Sequence, residues 1–552
     1  MRSPASEDAP DAVGAARGAL RPAVRAAFDR IEAAFDIAFG PRANPWRALG
    51  GLAWILFWVA AITGIYVYAL FDTSAALAWT SVERMSANAW PASALARSLH
   101  RYSSDAFVLV TMLHLAREWA HGRYAHVHRY AWITGVALVA FVYASGLVGF
   151  WLVWDRLAQY SIVATTEWLD VLPIFAEPLA GNFDANARID DRFFSLLIFL
   201  HIGIPLATLA LMWAHVQRLK RPATQPARSI AWGTLAALVV VSLAVPVTSH
   251  APADLASVPG SLALDWFYLA PHAIQDAISP TGLWAIVAVL AALLLSLPWL
   301  SRAARAPRRE AAVVDLEFCN GCRRCVADCP YDAIEMVPRS DGRAHPLEAR
   351  VDADRCAGCG ICAGACPSSV PFRSVADLVS GIDMPQKPIG ALRTMLEGEL
   401  ARISATPRGD AAATPRVVLV GCEEAIDVRA LRDGDTAALP LLCAAQLPPS
   451  FVDYALRSGA DGVLVTGCRE GDCVWRLGQD WVGERFAGER APRLRAVVPR
   501  ERVRIAWAGS PDRAALDSAL DAFRRDLAAL PDAAHRTVVA PKRDPSRMAA
   551  SA

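Results

Sequence analysis

Residues 95–119, LARSLHRYSSDAFVLVTMLHLAREW, carry His100 and His114, and a later stretch, LLIFLHIGIPLATLALMWAHVQRL, carries His201 and His215. In each stretch the histidines are 14 residues apart, which is almost four turns of an α-helix, so both imidazoles leave nearly the same face. At 1.5 Å per residue the two levels lie roughly 21 Å apart, near the two ends of a membrane span. Two such helices facing each other predict a frame for two bis-histidine haems stacked across a bilayer.

Glycines repeat the same spacing in two neighbouring apolar stretches. Gly50 and Gly64 are 14 residues apart, and so are Gly135 and Gly149. A glycine opposite each imidazole level removes a side chain that would collide with a porphyrin face. A lone histidine in a membrane span can equally well hydrogen-bond a neighbouring helix, but four pairs at one spacing favour haem ligation over that alternative.

The composition divides the chain into an apolar first half and a cysteine-rich second half. Of the 552 residues 54% are hydrophobic, the long apolar runs end near residue 302, and all 12 cysteines follow residue 318. A formal net charge of +1 provides no basic excess for neutralising phosphates, which argues against nucleic-acid binding. Arginines interrupt the amphipathic first 45 residues, so no signal peptide is expected. Six stretches are long and apolar enough to span a membrane: 49–71, 94–120, 129–153, 193–218, 229–250 and 280–301.

The connections between these six stretches predict the orientation in the membrane. Those before the first span, after the second, after the fourth and after the sixth are basic, whereas the alternate connections are acidic and contain no lysine. By the positive-inside rule both termini face the cytoplasm in a multi-pass protein of the cell inner membrane. We therefore expect His100 with His201 to bind an outer haem, and His114 with His215 to bind an inner haem.

Residues 45–220 resemble the N-terminal half of cytochrome b from the quinol-oxidising bc complexes. Arg97 and Arg117 each lie three residues from a histidine, where this family places propionate-binding arginines, and Pro205 matches the family's proline in the helix of His201. The resemblance implies two haem b groups, quinone or quinol as substrate, and a homodimer formed through this region. The Pro-Glu-Trp-Tyr loop of the family's C-terminal half is absent from the sequence, as is a Rieske-type partner domain.

The segment GLVGFWLVWDRLAQYSIVATTEWLDVLP, residues 146–173, resembles the part of that family that leaves the third helix toward the outer quinone pocket. Within it Glu167, followed by Trp168, could accept a quinol proton near the outer haem. Glu167 is also consistent with an ordinary solvated residue of an outer loop. His250 and His272, which bracket the last outer connection, could hydrogen-bond a quinone head group or be ordinary interfacial histidines.

The second half contains two copies of the pattern C-x2-C-x2-C-x3-C-P, one starting at residue 319 and one at residue 356. In this pattern three closely spaced thiolates bind one [4Fe-4S] cluster, and the fourth cysteine completes the other cluster. Zinc knuckles or disulfides fit poorly with eight cysteines in this register on the cytoplasmic side. With these two motifs, residues 311–375 resemble bacterial two-cluster ferredoxins. The first cysteine set is predicted to be Cys319, Cys322, Cys325 and Cys366, and the second cysteine set Cys356, Cys359, Cys362 and Cys329.

Strand and helix patterns alternate in the last part of the chain, which predicts an α/β layer with a parallel sheet. The apolar runs RVVLVGC and GADGVLVTGC end at Cys422 and Cys468, where ligand sites of such sheets lie. The segment GCREGDCVWRLG, residues 467–478, resembles the hydrogenase delta-subunit family, which implies a [2Fe-2S] cluster and electron transfer to a flavoprotein partner. A structural zinc site and a redox dithiol are the alternatives. The third cysteine set consists of Cys422, Cys443, Cys468 and Cys473.

The sequence as a whole predicts a multidomain electron carrier: an α-helical membrane bundle of six spans with two haems, an α+β ferredoxin-like dicluster domain and a C-terminal α/β domain. We expect it to link the quinone pool to a cytoplasmic flavin or iron-sulfur oxidoreductase subunit. A membrane redox sensor and a membrane-linked thiol or disulfide reductase are alternative functions. The predicted segments are a cytoplasmic N-terminal segment 1–45, a dihaem membrane domain 46–302, a ferredoxin domain 303–375, a linker 376–413, a hydrogenase delta-subunit-like domain 414–532 and a disordered tail 533–552.

Overall fold

Two compact units make up the protein in the computed structural model, which describes residues 12–87, 91–183, 189–258, 260–264, 267–372, 378–405 and 414–530. The first unit is Met1–Gln217 with Pro222–Pro307, and the second is Arg218–Arg221 with Arg308–Ala552. The predicted tail 533–552 lies outside the described residues, as do residues 1–11 of the predicted N-terminal segment and residues 376–377 and 406–413 of the predicted linker.

Helices build the first unit, and each of the six apolar stretches forms one. Among the described residues, four helices are long and apolar enough to cross a membrane: Leu49–Leu70, His126–Leu152, Asp191–Val216 and Pro280–Leu300. Of the other two, Pro91–Ala120 contains the charged residues Arg97, Arg101 and Asp105, and Arg228–Ala244 has 17 residues. The described helices of this unit are α1 (Ala12–Phe39), α2 (Leu49–Leu70), α3 (Ala78–Ala87), α4 (Pro91–Ala120), α5 (Arg129–Leu152), α6 (Arg156–Asp170), α7 (Asp191–Val216), α8 (Arg228–Ala244), α9 (Ala270–Ile278), α10 (Pro280–Leu300) and α11 (Arg302–Arg305).

Two helix pairs organise the first unit. Helix α2 packs along α4, and α5 packs along α7, while α4 also contacts α5 and α8. Apolar side chains such as Leu56 and Val142 form the shared core. Asp155 caps α6 and Asp190 caps α7, each by accepting a hydrogen bond from the backbone N–H three residues further on, at 2.9 and 3.0 Å. Helices α4 and α7, which carry the four predicted haem ligands, are thus packed against α2 and α5, which carry the repeated glycines.

Ion pairs fix helix α1 against the rest of the first unit. Glu32 on α1 is 1% exposed and accepts hydrogen bonds from Arg47 at 3.1 Å and from Arg117 on α4 at 2.7 Å. Asp36, one turn later, accepts from Arg47 at 2.6 Å. A carboxylate as buried as Glu32 needs such partners, because an unpaired charge in the interior is strongly destabilising.

The second unit combines two short antiparallel ribbons with a parallel sheet. Its described elements are β1 (Val313–Val314), α12 (Arg324–Asp328), β2 (Ile334–Pro338), β3 (Leu347–Val351), α13 (Ile361–Ala365), β4 (Ile382–Asp383), α14 (Ile389–Ala405), β5 (Val417–Cys422), β6 (Thr436–Leu441), α15 (Ser450–Arg457), β7 (Gly462–Val465), α16 (Gly478–Ala487), β8 (Val503–Ile505) and α17 (Arg513–Ala528). Strands β1 and β4 form one ribbon, and β2 and β3 form the other. The sheet has the strand order β6-β5-β7-β8, and all three pairings are parallel. Its strands β5, β6 and β7 are buried throughout, as is usual for parallel sheets covered on both faces.

Part of the segment predicted as a linker belongs to this fold. Strand β4 pairs with β1, and α14 packs on β6. On α14 the buried Glu399 accepts from the backbone N–H of Ala438 at 3.1 Å, and Arg402 and Arg432 pair with its carboxylate at 2.9 and 2.5 Å. The helix therefore covers one side of the parallel sheet, next to its edge strand.

The segment Arg218–Arg221, which follows α7 in the chain, belongs to the second unit. Lys220 donates its backbone N–H to the carbonyl oxygen of Pro330 at 3.0 Å. Arg476 donates to the carbonyl oxygens of Lys220 and Pro330 at 3.1 and 3.0 Å. These bonds tie the residue that follows Cys329 to the loop that follows Cys473.

Candidate metal centres

The outer histidine pair has the geometry of two imidazoles that share one metal. The rings of His100 and His201 have centroids 6.0 Å apart and are nearly perpendicular. Nδ1 of His100 lies 2.9 Å from the carbonyl oxygen of Ala60, and Nδ1 of His201 lies 3.1 Å from that of Ser145. A carbonyl oxygen only accepts, so each Nδ1 carries the proton and each Nε2 keeps a lone pair for a metal. The donor set therefore fits a bis-histidine haem.

The inner histidine pair is held in a similar way. His215 and His114 lie close enough to interact electrostatically. Nδ1 of His215 lies 2.8 Å from Oγ1 of Thr134, whose own hydrogen is donated to the carbonyl oxygen of Tyr130 at 2.8 Å. The threonine oxygen must then accept from Nδ1, which leaves Nε2 of His215 as the metal-binding nitrogen.

The four repeated glycines face the four histidines one to one. A Cβ at Gly64 would lie 2.9 Å from Cε1 of His100, and one at Gly149 would lie 2.9 Å from Cε1 of His201. At the inner level the corresponding distances are 3.5 Å from Gly50 to Cε1 of His114 and 3.4 Å from Gly135 to Cε1 of His215. The atoms nearest to an added Cβ at these four glycines thus belong to the imidazole rings. The sequence alone had predicted that the glycines leave room for a porphyrin face. The steric demand is strictest at the outer level.

The two predicted propionate-binding arginines are buried and hydrogen-bonded within the protein. Arg97 is 7% exposed and donates to Glu83 at 3.2 Å and to Oγ of Ser249 at 2.6 Å. Arg117 is 3% exposed and pairs with Glu32 of α1. Arg97 lies near the start of α4 and Arg117 near its end, each three residues from a histidine. That they bind haem propionates stays a prediction.

A buried polar cluster lies between helices α6 and α9. His272 on α9 is 1% exposed, and its Nε2 lies 3.2 Å from Oγ of Ser161 and 3.4 Å from Oγ1 of Thr165. Ser161 accepts from the indole N–H of Trp151 at 3.1 Å, so its own hydrogen is available for Nε2. Nδ1 of His272 then carries the proton, and it has no hydrogen-bond partner among the described residues. Burial lowers the pKa of His272 to about 4, partly opposed by Asp276, so the ring is neutral at ordinary pH.

Gln275 is a member of this cluster that sequence reasoning missed. It lies three residues after His272 on α9, is 2% exposed, and donates its Nε2 to the carbonyl oxygen of Ala164 at 2.9 Å. Its Oε1 is buried and has no partner within the described part of the chain. The available signal was the spacing of three residues, which places both side chains on one helix face.

The residues first considered for a quinone site differ in their surroundings. Glu167 is exposed on α6. Trp168 stacks on Trp284 with ring centroids 4.6 Å apart, and its carbonyl oxygen accepts from the indole of Trp284 at 2.7 Å. Its own Nε1 is buried without a partner among the described residues. On helices α6 and α9, the buried side-chain polar atoms without a hydrogen-bond partner among the described residues are thus Nδ1 of His272, Oε1 of Gln275 and Nε1 of Trp168.

Cysteines of the two ferredoxin-type motifs lie near one another in the structure. Burial, together with the charges of the other three cysteines of the first set, raises the pKa of Cys325 to about 12. Burial raises the pKa of Cys362 well above its ordinary value, with further contributions from the other three members of the second set and from Cys325. The fourth cysteine of each motif therefore lies with the three cysteines of the other motif. Such buried thiols give up their protons only to a bound metal, which fits iron-sulfur clusters.

The third cysteine set forms a ring at the carboxyl edge of the parallel sheet. Cys422 ends β5, and Cys443 and Cys468 follow β6 and β7. Cys443 and Cys468 each form side-chain hydrogen bonds with both Cys422 and Cys473. Hydrogen bonds from Cys443 and Cys468 hold the pKa of Cys473 well below the usual thiol range. Four thiols arranged in this way fit a [2Fe-2S] cluster by their donor chemistry.

No group of three or more His, Cys, Asp or Glu side chains in the described residues is arranged around the position of a single metal ion. The ligands of an iron-sulfur cluster bind different iron atoms, and the ligands of a haem iron are two histidines, so neither requires such a group.

Three parts of the chain match known protein families. Residues 35–223 match Cytochrome b/b6/petB, residues 318–370 match the 4Fe-4S dicluster domain, and residues 417–531 match Methyl-viologen-reducing hydrogenase, delta subunit. The three-part resemblance is confirmed. The cytochrome b region implies haem b and integral membrane helices, and the dicluster region implies [4Fe-4S] clusters, which together support a membrane electron-transfer subunit.

Curated relatives match the chain over a third of its length. Cytochrome b6 of Porphyra purpurea is 28% identical over 188 residues, which are 33% of this chain and 84% of that protein. Cytochrome b6 of Tupiella akineta is 29% identical over 188 residues with the same coverage. A solved structure described as Hyperthermophilic respiratory Complex III is 21% identical with a TM-score of 0.39, covering 46% of this chain and 75% of that one.

Proposed function

We propose that the protein carries electrons between the quinone pool and a cytoplasmic oxidoreductase subunit that contains flavin or iron-sulfur centres. The route runs through two b haems in six membrane spans, then through two [4Fe-4S] clusters and one [2Fe-2S] cluster. The protein lies in the cell inner membrane as a homodimer formed through the cytochrome b region, with both termini and the iron-sulfur regions on the cytoplasmic side. When bound, the haems and clusters supply one-electron transfer, while the chain holds them and sets their surroundings.

The observation that carries this proposal is the pairing of the four histidines at two levels. His100 and His201 ligate the outer haem, and His114 and His215 ligate the inner haem. Support comes from the ring separation of 6.0 Å at the outer level and from the Nδ1 hydrogen bonds of His100, His201 and His215. A hydrogen bond from Nδ1 to a protein oxygen fixes the tautomer and orientation of an imidazole that binds a metal through Nε2.

The third cysteine set supports an exit toward a soluble partner. It lies at the carboxyl edge of a parallel sheet, the usual position of functional sites in such folds. The region also matches a hydrogenase delta-subunit family. We therefore assign the docking of the cytoplasmic partner to this region, with its [2Fe-2S] cluster as the last centre.

The α6–α9 cluster supports a quinone site near the outer haem. His272 offers a buried N–H donor through Nδ1, and Gln275 offers a buried acceptor through Oε1. A quinone carbonyl accepts from the first, and a quinol hydroxyl donates to the second. Trp168 contributes an aromatic wall and an indole N–H, and the exposed Glu167 passes the released proton to solvent.

Reduction by quinol tests the proposal. Membrane vesicles containing the full chain are mixed with a short-chain quinol, while haem absorbance and the iron-sulfur signals in electron paramagnetic resonance (EPR) are followed. We expect His114→Ala to leave reduction of the outer haem intact and to abolish reduction of the clusters, because the inner haem is lost. His345→Ala, at an exposed histidine of the dicluster region, is the matched control. Cluster reduction that persists in His114→Ala contradicts the transmembrane route.

A further inference from the structure

The short helix that carries Cys362 of the second cysteine set packs directly on the loop that follows Cys443 of the third set. This contact joins α13 to residues 444–446. A Cβ at Gly364 of α13 would lie 2.2 Å from the carbonyl oxygen of Ala445. Only glycine permits so close an approach of two backbones, so this contact requires glycine at position 364.

A second contact brings a side chain of α13 to the sulfurs of the third set. A Cβ at Gly478 would lie 2.5 Å from Sγ of Cys443, 3.2 Å from Sγ of Cys473 and 3.9 Å from Cδ1 of Ile361. Ile361 is fully buried and directly precedes Cys362. Gly478 therefore adjoins the sulfurs of two cysteines of the third set and also Ile361, the neighbour in sequence of Cys362 of the second set.

A buried cation joins the same two cysteine sets. Arg485 on α16 is 0% exposed and donates to the carbonyl oxygen of Ala445 at 2.7 Å and to that of Ile361 at 3.4 Å. Its guanidinium also pairs at 2.5 Å with Asp328, the residue before Cys329. Its charge thus lies beside the backbone of the second set and of the third.

The loop that carries Cys319 and Cys322 of the first set packs on a different part of the unit, whereas Cys366, the fourth member of that set, directly follows α13. A Cβ at Gly321 would lie 2.6 Å from the carbonyl oxygen of Leu347 in β3, and one at Gly381 would lie 3.0 Å from Cα of Cys319. The cation at this set is Arg339, which donates to the carbonyl oxygen of Cys319 at 2.6 Å. The arginines that hydrogen-bond beside the two sets therefore differ: Arg339, which also pairs with Asp341, lies at Cys319, and Arg485 lies at Ile361.

We propose that the cluster of the second cysteine set, and not that of the first, exchanges electrons with the cluster of the third set across the contact of Ile361 with Gly478, and that Arg485 sets the potentials of both. The inference rests on the proposed function, because it takes both sets to hold clusters. In the step, one electron leaves [4Fe-4S]+, which becomes [4Fe-4S]2+, and converts [2Fe-2S]2+ to [2Fe-2S]+. No bond forms or breaks, no proton moves, and the reverse step has the same balance.

A redox titration of the full-length holoprotein in detergent, monitored by EPR, tests this order. A buried cation stabilises the more negative, reduced form of a nearby cluster. We therefore expect Arg485→Met to shift the midpoint potentials of the [2Fe-2S] cluster and of one [4Fe-4S] cluster downward. Arg339→Met, the matched control, should shift only the other [4Fe-4S] cluster. In the unmodified protein, the spin relaxation of the [2Fe-2S] signal should accelerate as the cluster that responds to Arg485→Met becomes reduced.

Two results would overturn the inference. The first is faster spin relaxation of the [2Fe-2S] signal when the [4Fe-4S] cluster that responds to Arg339→Met becomes reduced. The second is a midpoint potential of the [2Fe-2S] cluster that Arg485→Met leaves unchanged. If the Arg485→Met protein does not incorporate its clusters, three other measurements still show which [4Fe-4S] cluster lies next to the [2Fe-2S] cluster. These are the potentials of Arg485→Lys, the potentials of Arg339→Met and the relaxation measurement on the unmodified protein. Because dithionite supplies the electrons, a failure of quinol oxidation leaves this result intact, whereas a protein without any [2Fe-2S] signal contradicts the proposed function itself.

Discussion

The glycines opposite the outer histidines have almost no freedom to change. At Gly64 and Gly149 an added Cβ would lie 2.9 Å from an imidazole carbon, which is closer than real Cβ contacts, so a ring must move. We expect Gly64→Ala to displace His100 and to lower the haem content from two haems per chain toward one. Pyridine haemochrome quantification and a redox titration of the remaining haem measure this effect.

Two substitutions control for the outer-haem prediction. At Gly50 the added Cβ would lie at an ordinary 3.5 Å from His114, and at Gly203 on α7 nothing lies within 4 Å. Gly50→Ala and Gly203→Ala should both retain two haems. Equal haem loss in Gly64→Ala and Gly203→Ala would mean that the effect comes from the helices in general and not from the imidazole contact.

At His272 the prediction concerns quinol oxidation. His272→Ala removes a buried hydrogen-bond donor, which is worth about 1 to 1.5 kcal/mol, so haem reduction by quinol should slow about 10-fold while reduction by dithionite is unchanged. The matched variant Gln275→Leu should slow it similarly through loss of the acceptor. His345→Ala, at an exposed histidine of the dicluster region, is the control. An unchanged quinol rate in both His272→Ala and Gln275→Leu would remove the α6–α9 cluster from the pathway.

The pH dependence at His272 follows from its lowered pKa. Because the folded-state pKa is about 4, below the ordinary value near 6.5, the unfolded chain takes up a proton that the folded chain refuses as pH falls through this window. The contribution of His272 to stability is therefore present above pH 6.5 and is lost progressively toward pH 4. Thermal unfolding of His272→Gln should show a shallower loss of stability over the same window than the unmodified protein, and an equal slope would contradict this assignment.

At the scale of elements, two glycines on helices of the second unit predict opposite effects. Gly398 is exposed in the interior of α14, and nothing lies within 4 Å of an added Cβ. Gly398→Ala should stabilise the unit by about 0.5–1 kcal/mol, because alanine loses less conformational entropy in a helix. Gly364→Ala should destabilise it by about 1–3 kcal/mol or more, because its Cβ would overlap Ala445. Thermal unfolding, followed by loss of the cluster absorbance, measures both, and a stable Gly364→Ala protein would show that α13 can move away.

The elements with strong periodic signals were predictable from sequence, and those defined by tertiary contacts were not. The four histidines and four glycines predicted which helices face each other, because one spacing recurred in all of them. Helix α8 ends at Ala244, six residues before the predicted end, because Pro246 excludes a helical conformation at the residue before it. Helix α14 lies in the segment 376–413, which is polar and contains proline and was therefore predicted to be a linker, and only its packing on β6 makes it part of the fold. Gln275 acquires meaning only once α9 is packed against α6.

At the scale of the whole molecule, the chain separates two kinds of environment for redox centres. In the first unit, apolar helices leave exposed hydrophobic side chains whose surface is suited to lipid. In the second unit, the cysteine sets lie in a water-soluble type of fold with a parallel sheet and many surface ion pairs. Under the proposed function, a quinone would dissolve in the first environment and a soluble oxidoreductase would dock on the second, so the fusion would place both ends of an electron route on one polypeptide.

The orientation of this route in the membrane is the final prediction. The connections after α4, α7 and α10 are basic, and the connection after α6 is acidic, so the positive-inside rule places the second unit in the cytoplasm. Glu177→Cys, in the exposed acidic connection, should react with a membrane-impermeant maleimide in intact cells. Arg343→Cys, exposed in the dicluster region, should react only after permeabilisation, with the unmodified protein as the control for its twelve native cysteines. If Arg343→Cys reacts in intact cells and Glu177→Cys reacts only after permeabilisation, the second unit lies on the outer side of the membrane. The soluble partner would then also have to lie on that side.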